Sequence, residues 1–173
     1  EDTTKSEQTA EATPESRPAS FERHVLPNGL SVITKEVHSA PVISFWLWYG
    51  VGARNEHAGI TGVSHWVEHM MFKGTQKLGK GQIMQMVAEN GGTLNAFTSD
   101  DWTTYFETLP SDRLDLSLQI ESDRMMNSLF DPDEVASERT VIISEREGSE
   151  NEPDRLLDED VSAAAFKVHP YGG

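Results

Sequence analysis

The sequence predicts an α+β domain, a mainly antiparallel sheet with helices packed on one face. Three observations lead there. Short segments rich in β-branched residues come as neighbours joined by turn residues, as in Leu30 to Val37 after the turn Pro27-Asn28-Gly29. Strands, then two helices, a hairpin and three further helices do not alternate as βαβ units do. The 173 residues are 36% hydrophobic and 25% charged, enough for one compact domain with a core.

The first 20 residues, rich in Thr, Glu, Ser, Pro and Ala, cannot bury enough surface to offset ordering and read as a disordered leader. The ordered domain is expected over 21–173. It opens with a hairpin, followed by a more deeply buried strand, Pro41 to Tyr49. Thr61 to Phe72 reads as a helix, with Thr61 as a possible N-cap and Gly74 near its end. Ile83, Met86 and Val87 mark a short helix stopped by Asn90-Gly91. Thr93 to Ser99 and Trp102 to Leu109 form a second hairpin. Ser111 then caps a helix with Leu114, Leu118 and Met125 on one face. Asp131-Pro132-Asp133-Glu134 is a helix start in which Asp131 caps, Pro132 takes the first position and Glu134 completes a capping box. That helix runs to about Glu150, and another runs from Pro153 through Phe166. Five methionines besides Met70 are read with it as core fillers, among them Met84, Met125 and Met126.

Composition excludes several functions. A net charge of −15 repels nucleic acid. It suits solubility better than substrate attraction. The longest apolar run, Val42 to Val51, is far shorter than a membrane span. With no cysteine, any metal must be held by His, Asp and Glu. The leader suggests an exported bacterial protein, with a cytoplasmic one as the alternative.

His65 and His69 lie four apart on a helix and project from one face, so two imidazoles can grip one cation. Glu68 sits about 60° to one side, placed to take a proton from water without being a ligand. This is the order H-x-x-E-H. A catalytic zinc site usually has three protein ligands and one open position. The helix from Asp131 carries Val135, Glu138, Ile142 and Glu145 on one stripe, and carboxylates on an apolar stripe need partners. Ion pairs with Arg139, Arg146 or Arg54 would serve, and so would a metal; the two-histidine helix favours the metal.

His65-Trp66-Val67-Glu68-His69-Met70 followed by Phe72-Lys73-Gly74-Thr75 resembles the pitrilysin/insulinase family, especially its mitochondrial processing peptidase-like branch. Gly91 to Ser99 resembles that family's substrate strand, and Glu138 to Glu145 its third-ligand helix. The 75 residues between His69 and Glu145 and the segment His169-Pro170-Tyr171-Gly172 also suit it. Trp66-Val67 departs from the usual aromatic-Leu pair at positions that pack rather than ligate. The resemblance implies one Zn2+ per chain on His65, His69 and Glu145, with Glu68 as general base. It implies that Glu138 is an accessory acidic residue, that Phe72 lines the pocket, and that Asn95, Ala96 and Phe97 lie on an edge strand that pairs with peptide substrate. It further implies a second homologous half that closes the site and brings an Arg and a Tyr to the substrate. The function so implied is zinc metalloendopeptidase action on extended peptides; the alternative is a non-catalytic scaffold or regulatory paralogue.

Overall fold

The computed structural model describes residues 21–172; the leader expected over residues 1–20 lies outside them. By internal contacts the chain divides after Ala40 into two units, inside the span expected as one domain. The first contains an antiparallel hairpin of β1 (Phe21–Val25) and β2 (Ser31–Lys35), in which Phe21 pairs with Lys35 and Val25 with Ser31. Its turn is closed where Leu26 N donates to Leu30 O and Gly29 N donates to Leu26 O.

The second unit holds a three-stranded antiparallel sheet in the order β3 (Val42–Tyr49), β5 (Thr103–Pro110), β4 (Thr93–Thr98). Its helices are α1 (Val63–Met70), α2 (Gln82–Glu89), α3 (Leu114–Asn127), α4 (Pro132–Ser149) and α5 (Pro153–Ala165). The α+β class, with antiparallel sheets and helices on one face, is what the sequence predicts. Alternation along the strands sorts the two faces. Leu94 pairs with Glu107 and Phe45 with Glu107, so Phe45, Glu107 and Leu94 share a face with Leu47, Tyr105 and Ala96. This face meets the helices. Ile83, Val87, Leu109 and Ile120 form its buried cluster, with Ile43, Leu78, Leu94 and Leu116 packed against it.

The other face carries aromatic rings. Trp46 stacks on Phe106 with centroids 4.3 Å apart, and Trp48 meets Phe97 and Trp102 edge-on. Trp46 and Trp48 remain 43% and 51% exposed, so β3 is half-buried and alternating, not deeply buried. The apolar run misled because aromatic residues fill both faces of the strand.

Helix α3 also differs from expectation. Leu114, Leu118 and Met125 are exposed, while Ser117, Ile120, Glu121 and Arg124 are buried. An ionic cluster occupies the interior face: Arg124 pairs with Glu121 and lies 4.0 Å from Glu107. Its guanidinium also sits 4.2 Å over the Tyr105 ring and 5.1 Å over Phe72. A buried cation paired with Glu121 and set over two aromatic rings inverts the face that hydrophobicity selects. A short turn over Ser111–Arg113 precedes the helix, and no side chain caps it. Of the methionines, Met70 is fully buried, whereas Met84, Met125 and Met126 are exposed.

Asp131 caps α4 as expected, accepting from Asp133 N at 2.9 Å and Glu134 N at 3.3 Å. Glu134 completes no capping box, because its carboxylate accepts from Lys80 at 2.5 Å. The acidic stretch that follows is crossed by Arg146, which binds Glu159 through both terminal nitrogens and Glu150 through Nε. At the far end Tyr171 donates its hydroxyl to Asp101 Oδ1 at 2.6 Å.

Candidate metal centre

Helix α1 is eight residues long and amphipathic, with Ser64, Glu68 and Met70 buried. It begins at Gly62, whose φ of +85° suits a residue without a Cβ, rather than at Thr61. One turn apart, His65 and His69 place their rings edge to face with centroids 4.6 Å apart. Helix α4 crosses behind them. Its stripe Val135–Glu138–Ile142 is buried or half-buried, and Glu145, one turn beyond Ile142, extends to the histidines.

The three side chains converge. His65 Nε2 and His69 Nε2 are 3.1 Å apart. Glu145 Oε2 lies 3.7 Å from His65 Nε2 and 3.5 Å from His69 Nε2. Tetrahedral zinc with bonds of about 2.0–2.1 Å places neighbouring donors about 3.3–3.4 Å apart. The observed triangle brackets that edge length, so these residues fit the ion.

The remaining contacts orient the donors. His69 Nδ1 donates to Glu138 Oε1 at 2.9 Å, which leaves Nε2 with its lone pair turned towards His65 and Glu145. Glu138 also pairs with Lys73. Burial alone would raise the Glu138 carboxyl, but hydrogen bonds from Lys73 and His69 outweigh it and hold it below the usual carboxylate range. Neither Glu138 nor Glu145 pairs with Arg54, Arg139 or Arg146 among the described residues.

Glu68, next to His69 on the same helix, is held by a contact of its own. Its Oε2 accepts from Thr98 Oγ1 at 2.6 Å, which ties the motif helix to β4. A cleft of about 230 Å³ lies beside it, lined by Glu68, His69, Phe72 and Glu138 on the helix side and by Leu94 and Asn95 of β4. In the described sheet β4 is hydrogen-bonded to β5 alone, so its other edge is free. Asn95 is exposed and accepts from Ala96 N; Ala96 is half-buried; Phe97 turns to the aromatic face, away from the cleft. Sequence reasoning missed Thr98, Lys73 and Arg124. Thr98 lies in the strand block already singled out, two residues beyond Ala96 and so on the same face, which was the available signal.

The family model described as Insulinase (Peptidase family M16) matches residues 31–173. This chain belongs to that family. It is 34% identical over 156 residues to an uncharacterized zinc protease of Mycobacterium leprae, covering 90% of this chain and 35% of that protein. It is 33% identical over 147 residues to the probable mitochondrial-processing peptidase subunit beta of Arabidopsis thaliana, covering 85% of this chain and 28% of that protein. The crystal structure of a protease from Helicobacter pylori superposes with a TM-score of 0.82 at 34% identity, covering 90% of this chain and 38% of that one. The chain thus spans about a third of the length of these relatives. No described helix is long and apolar enough to cross a membrane.

Proposed function

We propose that this chain is the zinc-bearing part of a metalloendopeptidase acting on extended peptides. The observation that carries the reading is the triangle of His65 Nε2, His69 Nε2 and Glu145 Oε2, with edges of 3.1, 3.5 and 3.7 Å, backed by Glu138 on the far nitrogen of His69. The chemistry zinc supplies when bound there is Lewis acidity towards a carbonyl oxygen and towards water. Glu68 is the general base. Its carboxylate takes a proton from the attacking water and returns it to the amine nitrogen as the carbon–nitrogen bond breaks. Thr98 fixes Oε2 of that carboxylate. The free edge of β4 at Asn95 and Ala96 offers main-chain groups to an extended peptide, which grips backbone irrespective of side chain. Phe72 forms the apolar wall of the cleft. Phe97 faces away from the cleft, so its part in substrate binding is support of the strand.

A second homologous half closes the site, and the chain by itself turns over weakly or not at all. The test has two arms. About one zinc per purified chain is expected, and Glu145→Ala should lose it or weaken it greatly. A well-folded chain without zinc would overturn the reading. In the assembled enzyme Glu68→Gln should keep zinc and lose cleavage; cleavage at the native rate would remove Glu68 from the role of base.

A further inference from the structure

Helix α1 lacks a cap of the ordinary kind. Gly62 at its N-cap has no side chain, and a helix this short is marginal without help from its surroundings. Help comes from Glu56, six residues earlier. Its Oε2 accepts from Gly62 N at 2.6 Å and its Oε1 accepts from Ser64 N at 2.7 Å. Both oxygens are thus committed to the open amides at the positive end of the helix, immediately before His65.

The loop that carries Glu56 is itself clamped to the β4–β5 turn. Ala53 N donates to Ser99 O at 3.1 Å and Arg54 N to Asp100 O at 2.9 Å. The Arg54 guanidinium pairs with Asp101 at 3.0 Å. Asn55 Oδ1 accepts from Gly52 N at 3.1 Å, closing the loop on itself. Gly52 presses so close that an added Cβ would lie 2.2 Å from Ser99 O, so the contact requires glycine. The same hairpin carries Thr98, whose hydroxyl donates to Glu68 Oε2 further along the helix.

The geometry points to Glu56 as a positioning residue: through a strap, 52–56, it fixes α1, and with it His65, Glu68 and His69, against the β4 edge strand. This deepens the metallopeptidase reading and rests on it for the identity of the site, but not for the mechanical tie. A carboxylate is needed because two amides converge on two acceptor oxygens; Gln offers one acceptor and turns its amide donors towards the other N–H.

The test compares Glu56→Ala, Glu56→Gln and, as a destabilising control outside α1 and the strap, Ile120→Ala, which opens the buried cluster of Ile83, Val87, Leu109 and Ile120. Amide hydrogen exchange is read without metal. Glu56→Ala is expected to speed exchange across Val63–Met70 about tenfold or more, while α3 keeps its protection. With metal, its zinc dissociation constant should rise about tenfold and its visible Co2+ spectrum should shift. Glu56→Gln should fall between it and the native chain, and Ile120→Ala should leave the Co2+ spectrum as it was. Native exchange in α1 of Glu56→Ala, or a control that shifts affinity and spectrum equally, would overturn the inference. If the native chain takes up no metal, the function proposed above fails, and the exchange data decide the role of Glu56 alone.

Discussion

Two of the clusters of ionisable side chains among the described residues solve the same electrostatic problem in opposite ways. In the interior, between α3 and the sheet, Glu107 and Glu121 surround Arg124, with Tyr49, Tyr105 and Ser117 beside them. At the rim, His65, His69 and Glu145 converge with lone pairs facing one another. The inner cluster brings its own cation. The rim cluster has Lys73 only behind Glu138, and nothing within the triangle itself neutralises its donors. Burial decides between the two. Arg124 and Glu107 are fully buried, whereas the His65 and Glu145 side chains are 41% and 49% exposed. A set of donors open to solvent can be completed by an ion from solution; a sealed set must be complete when the chain folds.

The comparison breaks most visibly at Arg124. Arg124→Met leaves Glu121 buried without its paired cation, and unfolding in urea should show a loss of about 3–5 kcal/mol. Native stability would mean that the carboxyls are neutral without its help. At the rim the corresponding cut is smaller. Glu138→Gln removes the charge behind His69 Nδ1 while keeping a hydrogen-bond acceptor, and zinc affinity should fall about 10–100-fold with little change in melting temperature.

A pH series sharpens the contrast further. Burial, then the neighbouring Glu121, push the Glu107 carboxyl up to about 8, with Ser117 and Arg124 pulling the other way. The folded chain therefore keeps a proton that the unfolded chain releases near its ordinary value of 4.5. The stabilisation is complete below that value and is lost as pH rises towards about 8, with a slope of at most about 1.4 kcal/mol per pH unit for one proton. Glu107→Gln should flatten this part of the profile; an unchanged slope would assign it to other groups. The smallest effect is expected from Asp131→Ala, which removes the cap of α4 and touches no ligand. It should cost about 1 kcal/mol and leave zinc stoichiometry intact. Loss of zinc would show that the start of α4 sets the position of Glu145.

The rim cluster could be read in the sequence because its parts are local. Four-residue spacing within α1 and seven-residue spacing within α4 fix which side chains share a face, whatever the rest of the chain does. The inner cluster was not legible for the opposite reason. Its members come from β5 and α3, and hydrophobic periodicity placed the buried face of α3 on Leu114, Leu118 and Met125, which are exposed. The run Val42 to Tyr49 misled in the same way, since nothing local tells an apolar residue on an open aromatic face from one in the core.

Sequence by itself therefore determined the α+β class, the two-histidine helix, the Asp131 cap and the pairing of β4 with β5, all of which follow from short-range pattern. Only the tertiary structure decided that Glu138 addresses His69 while Glu145 joins the triangle, that Thr98 holds Glu68, and that Glu56 caps the motif helix from six residues away. These are contacts between elements or across a loop. Their geometry depends on how helices seat against the sheet, and no periodicity within one segment encodes that.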